Sequence, residues 1–181
     1  MDIVIRERSA ADLSKGMDIR DCFIVDSILD VTYKDQCFGY TVREIPAYTK
    51  TYGGEAMTDD EYSEYIDNPD GIIYLALLQD HVVGEIILKK NWNHYAIVED
   101  IKVDESYRRY GIGRKLIDQA KYWAKAGGMP GLMLETQTNN VRACKFYESC
   151  GFAIGGMDLY LYKGAEPHHN ETAIFWYFLF E

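Results

Sequence analysis

Tyr95–Gly127 reads YAIVEDIKVDESYRRYGIGRKLIDQAKYWAKAG. Its first part, Tyr95–Val103, is apolar apart from Glu99, Asp100 and Lys102, which suits a central strand. Arg108-Arg109-Tyr110-Gly111-Ile112-Gly113 is a tight basic loop. Leu116, Ile117, Ala120, Trp123 and Ala124 then recur at helical spacing, Gly127-Gly128 ends that helix, and Pro130 prevents its resumption. Strand, loop and helix in this order make an anion cradle. Glycines let backbone N–H groups approach a ligand with no Cβ in the way. The helix start adds unpaired N–H groups and the positive end of its dipole, which suits a pyrophosphate. Arg108, Arg109 and Arg114 add positive charge around it.

Downstream stands a second ordered set, Asn140-x-x-Ala143-x-x-Phe146-Tyr147-x-x-x-Gly151-Phe152. Together the two motifs resemble the GCN5-related N-acetyltransferases. The resemblance implies an α+β fold with α/β/α layering, in which a mixed, mostly antiparallel sheet of six or seven strands is flanked by about four helices. It also implies acetyl-CoA as co-substrate and no metal.

The same resemblance assigns roles by position. Arg108 to Arg114 would hold the CoA pyrophosphate. The backbone of Ile101 to Val103 would pair with the pantetheine arm, and an N–H from this stretch would polarise the thioester carbonyl. Asn140 would hydrogen-bond the pantetheine, or cap the second helix, or do both. Ala143 and Phe146 stand in the same motif, and Phe146 is expected to pack in the core or against the CoA arm. Glu99, twelve residues before Gly111, would take the ammonium proton of the acceptor as general base or bind its cation. Glu99 and Asp100 are neighbours on a strand and so face opposite sides; a bulge would exchange the faces and bring Asp100 forward. Tyr147 would protonate the departing thiolate, since a phenol near 10 and a thiol near 8.5 are modestly separated.

Several stretches look more narrowly like streptothricin acetyltransferases: REIPAYTKTYG, VEDIKVDESYRRYGIGRKLIDQAKYWA, LETQTNNVRACKFYESCGF, GGMDLYLYKG and ETAIFWY. That likeness implies acetylation of the β-lysine amine of a cationic antibiotic. Acetylation of a protein lysine or N-terminus, and a non-catalytic acyl-CoA sensor, are the alternatives. No cysteine stands where an acyl-enzyme would need it, so direct attack in a ternary complex is expected.

Composition agrees with a small cationic partner. With 19 Lys plus Arg against 29 Asp plus Glu, the 181-residue chain carries −10, which argues against nucleic acid and suits either a cationic partner or simple solubility. Met1 leads straight into the alternating MDIVIRE, so neither a secretory signal nor a membrane span is expected. Cys22, Cys37, Cys144 and Cys150 have no metal spacing and read as reduced thiols of a cytoplasmic protein. A homodimer is compatible with all of this.

The remaining chain is expected to form one domain, 1–181. Ile3–Arg8 alternates as a first strand, and Ser9 can cap a helix over Ala10–Lys15. Phe23–Tyr33 alternates weakly. Tyr40–Tyr52, broken by Pro46, is expected to be irregular and to lie over the sheet near the acceptor. Thr58-Asp-Asp-Glu61 is a capping box for a helix over about Asp59–Asn68. Ile72–Gln79 and Val82–Lys90 are strands joined at Asp80-His81. Leu132–Thr136, Phe152–Tyr162 and Thr172–Phe180 are further strands. His81, His94, His168 and His169 are expected to be turn or loop residues.

Overall fold

Alternating apolar segments become a seven-stranded, mostly antiparallel mixed sheet in the computed structural model, which describes residues 2–13, 22–51, 57–165 and 170–181. Its strands are β1 (Val4–Glu7), β4 (Gly71–Leu78), β5 (His81–Lys90), β6 (Ala96–Val103), β7 (Gly131–Gln137), β8 (Ala153–Asp158) and β9 (Ala173–Leu179), in the order β1-β4-β5-β6-β7-β9-β8. A separate two-stranded ribbon pairs β2 (Phe23–Lys34) with β3 (Cys37–Lys50). Three α-helices stand among the described residues where about four are expected: α1 (Asp59–Ser63), α2 (Ile112–Ala126) and α3 (Val141–Ser149). None is long and apolar enough to cross a membrane. The expected helix over Ala10–Lys15 is a single 3-10 turn, Ala10–Asp12; Ser14 and Lys15 lie outside the described residues, as do His168 and His169.

The chain divides into two compact units, neither of which is one continuous stretch. The first takes residues 1–21 and 52–132 with Phe180; the second takes 22–51 and 133–179 with Glu181.

In the first unit α2 covers one face of β4, β5 and β6. Ile112, Leu116, Ile117, Ala120 and Ala124 are its buried stripe, with Trp123 half-buried. Each such Leu or Ile contributes about 1.5–3 kcal/mol by leaving water. Gly84 permits the close approach, since a Cβ there would stand 3.3 Å from Ile112 and 3.0 Å from the Lys102 carbonyl. On the opposite face Ile73, Leu75, Leu77 and Ile87 pack with Tyr62, and Tyr65 joins them. The capping box forms as expected, with Thr58 N–H donating to Glu61 at 2.7 Å. The helix is shorter than expected. After Ser63 the chain tightens into three-residue turns, with Ile66 N–H on the Ser63 carbonyl at 3.2 Å, and Asp67 turns to φ 55°. The β4–β5 turn is made by Gln79 and Asp80, both at positive φ. His81 is the first residue of β5, where it pairs with Leu78.

The second unit corrects the largest expectation. Tyr40 to Lys50 belongs to a strand, β3, rather than an irregular segment, and Tyr52 lies outside the described residues. Asp35 and Gln36, at φ 52° and 63°, make a tight turn of the kind that matches strand twist. Pro46 is tolerated because the ladder shifts register there, between Tyr48 opposite Val25 and Glu44 opposite Ser27, so its missing N–H costs no ladder bond. Leu29 N–H donates to the Thr138 carbonyl at 2.9 Å and ties the ribbon to the segment before α3. Strand β8 stops at Asp158, short of Tyr162, because its carboxylate accepts the N–H groups of Tyr160 and Leu161 at 2.7 and 3.0 Å and closes a turn.

Candidate active site

In the first unit the chemistry-bearing feature is an irregularity of β6. Ile87 pairs with Asp100 and Leu88 with Val98, so Glu99 is an extra residue with no partner on β5. The bulge overturns the expectation of opposite faces. Asp100 shares a face with Ile87, and Glu99 accepts the hydroxyl of Tyr65, which packs on the cluster that contains Ile87. Both carboxylates therefore reach the face opposite α2. Glu99 is exposed. Burial first, and Glu99 second, push the Tyr65 phenol far up, so it stays a donor.

Asp100 has different company. Lys102 lies 3.2 Å from it and 3.5 Å from Glu85. Glu85 is fully buried, and Arg8, itself buried, stands 3.2 Å away with its guanidinium 3.7 Å above the Tyr62 ring. Burial pushes the Glu85 carboxyl up despite Lys102 and Arg8. Burial works against the Lys102 ammonium, but Asp100 and Glu85 outweigh it and hold its pKa above the ordinary value. These partners of the acidic pair, Tyr65, Lys102, Glu85 and Arg8, escape sequence reasoning. They are brought in by register and by a distant strand, with no spacing to announce them.

After β6, Asp104 accepts the Ser106 N–H at 2.9 Å and Arg108 Nε donates to the Val103 carbonyl at 3.1 Å, fixing the start of the loop. Arg109 turns to φ 69° and Gly111 to φ 78°. A Cβ on Gly111 would meet nothing within 4 Å, so the backbone there borders open space. The ladder of α2 begins with Lys115 N–H on the Gly111 carbonyl, leaving the N–H groups of residues 112–114 ahead of it. No acidic residue stands in that first turn. Arg109, Tyr110 and Arg114 are exposed, Arg108, Gly113, Ile101 and Val103 half-buried. The Ile112 side chain is in the core, so only its backbone is available to a ligand. This loop fits a pyrophosphate in shape, donor set and charge.

In the second unit Asn140 caps α3, its side chain accepting the Ala143 N–H at 3.2 Å. Tyr147 is buried between Phe146 and Phe152, with ring centroids 5.4 and 6.0 Å away. Phe152 N–H bonds the Tyr147 carbonyl at 3.1 Å, and Gly151 makes that turn at φ 90°. Ala143 and Phe146 are half-buried. Cys144 is buried, and burial pushes its thiol up to about 12, which removes it as a nucleophile at neutral pH. Among the described residues no disulfide joins Cys22, Cys37, Cys144 or Cys150.

Known proteins resemble this chain along most of its length. Residues 40–152 match the acetyltransferase (GNAT) family. A streptothricin acetyltransferase of Escherichia coli is 39% identical over 165 residues, covering 91% of this chain and 90% of that protein. Streptothricin acetyltransferase A of Bacillus subtilis is 37% identical over 158 residues, covering 87% and 89%. A Bacillus anthracis protein solved in complex with acetyl coenzyme A superposes with a TM-score of 0.91 at 50% identity, covering 99% of this chain and all of that one. Residues 40–152 are more than half of the chain, and the chain belongs to the GNAT family of acetyltransferases.

Proposed function

We propose that the protein moves the acetyl group of acetyl-CoA to the β-lysine amine of streptothricin or a close cationic relative, and so confers resistance. The observation that carries the reading is likeness to two streptothricin acetyltransferases over about nine-tenths of the chain, including the N-terminal half where acceptor preference is expected to vary.

The chain's own residues supply what the transfer needs. The 108–114 loop holds the pyrophosphate through its N–H groups and arginines, with Ile112 acting by backbone alone. Ile101 and Val103 offer backbone groups to the pantetheine, and Asn140, Ala143 and Phe146 border it. Glu99, exposed and held by Tyr65, takes a proton from the substrate ammonium, directly or through water. The amine nitrogen then attacks the thioester carbonyl; a C–N bond forms and the C–S bond breaks. Tyr147 gives its phenolic proton to the departing thiolate, and the proton that the acylated nitrogen sheds restores the phenol, directly or through water. Asp100 is the weaker candidate for the base, because Lys102 already neutralises it.

The test is thiol release from acetyl-CoA by purified protein, with streptothricin, spermidine, an aminoglycoside and a lysine peptide compared. Saturable release with streptothricin is the expected result. Turnover of the peptide alone would move the protein to the protein-modifying branch. Tight CoA binding with no turnover would make it a sensor.

A further inference from the structure

Two adjacent carboxylates stand at the bulge of β6, and the backbone ladder by itself does not choose between them. Ile101 pairs with Ile86 and Val98 with Leu88, and both pairings are compatible with either Glu99 or Asp100 as the extra residue. A slide of the bulge by one residue would seat Glu99 opposite Ile87 and release Asp100. A chain of alternating charge on the face opposite α2 separates the two. Arg8 stands 3.2 Å from Glu85, Glu85 stands 3.5 Å from Lys102, and Lys102 stands 3.2 Å from Asp100. Lys102 and Glu85 are also direct cross-strand partners. The inner end of this chain is anchored. Glu85 and Arg8 are buried, the Tyr62 hydroxyl lies 3.5 Å from Glu85, and the Tyr62 ring lies under the Arg8 guanidinium. The outer end is open, since the Asp100 side chain is 43% exposed.

We propose that Lys102 is a positioning residue for the acetyl transfer: it holds Asp100 in line opposite Ile87 and so leaves Glu99 as the carboxylate that takes the ammonium proton. The proposal rests on the reading of Glu99 as base. Lys102 acts in two ways. It keeps Asp100 in the ladder, so that Glu99 is the residue set free by the bulge, and it occupies the Asp100 Oδ2 that would otherwise accept a substrate proton. Removing Lys102 strands no buried charge, because Glu85 keeps Arg8. Its loss therefore passes the base role to Asp100.

Steady-state transfer to streptothricin by the full chain tests this. Wild type, Glu99→Gln and the double variant Glu99→Gln with Lys102→Met are compared. The expected result is a low kcat for Glu99→Gln and a kcat about tenfold higher for the double variant, with the acetyl-CoA KM within about twofold of wild type. Adding Asp100→Asn should remove the regained rate. Pairing Glu99→Gln with Lys102→Arg should regain nothing, since a cation still holds Asp100. Absence of streptothricin turnover by wild type defeats the functional reading and this inference with it. A wild-type kcat in Glu99→Gln defeats Glu99 as base, and the inference falls while the acetyltransferase stands. A double variant no faster than Glu99→Gln overturns the inference alone, and a lowered Tm beside it marks a purely structural lysine. A regained rate that survives Asp100→Asn also overturns it. Should Lys102→Met fail to fold, Lys102→Gln takes its place in the same comparison.

Discussion

The Tyr65 hydroxyl donates to the Glu99 carboxylate at the bulge of β6, while Lys102 holds Asp100 one residue further on. Two adjacent carboxylates are thereby given different work. Tyr65→Phe should lower kcat severalfold while leaving the acetyl-CoA KM unchanged, because the base of the proposed mechanism loses its orienting bond. Glu99→Gln should cut kcat further and move the pH optimum upward or raise the amine KM. Asp100→Asn should instead lower Tm, with kcat within about threefold of wild type. The opposite pattern in a pH–rate comparison would make Asp100 the base.

Tyr147→Phe keeps the ring between Phe146 and Phe152 and removes only the hydroxyl. A kcat loss of at least about tenfold with acetyl-CoA affinity and Tm retained is expected. An unchanged rate removes Tyr147 as the acid. Cys144→Ala in parallel should keep transfer intact, since the thiol is buried and protonated.

Gly111 occupies the left-handed region with open space around its missing Cβ. Gly111→Ala should therefore cost only about 1–2 kcal/mol of stability in the free protein, through backbone strain alone. The larger effect should be a raised acetyl-CoA KM, because the methyl occupies the open space proposed to receive a phosphate. Calorimetry and a KM series against acetyl-CoA separate the two effects.

Glu85 sets part of the pH dependence of folding. Burial holds its carboxyl above the ordinary value, so the folded protein keeps a proton that the unfolded chain releases earlier. That contribution to stability is present below the ordinary carboxylate value, falls as pH rises through the raised one, and is level above it. Glu85→Gln should flatten this segment of a Tm-versus-pH curve. It should also cost about 3 kcal/mol at neutral pH in urea unfolding, because buried Arg8 loses its carboxylate.

Much of the fold and half of the site were legible because they rest on local rules. Gly111, the α2 stripe and the Thr58–Glu61 box announce themselves by type and spacing. Pro46 misled, since a proline inside an alternating run reads as a break, whereas a register shift accommodates it. Asp35-Gln36 is a weak turn signal beside Asn-Gly, so the ribbon's closure was hidden. The bulge at Glu99 is a property of pairing with β5 and leaves no mark on β6 alone.

The interleaving of the two units along the chain bears on how the protein is made and cut. A ribosome releases the β2–β3 ribbon long before residues 133–179 exist, so Leu29 N–H must wait for the Thr138 carbonyl that receives it. Until then the ribbon has exposed edges of the kind that recruit foreign strands. A fragment stopped at Leu132 would carry that liability permanently. We propose that the chain folds and is inherited as one domain, because no single cut yields two self-sufficient halves.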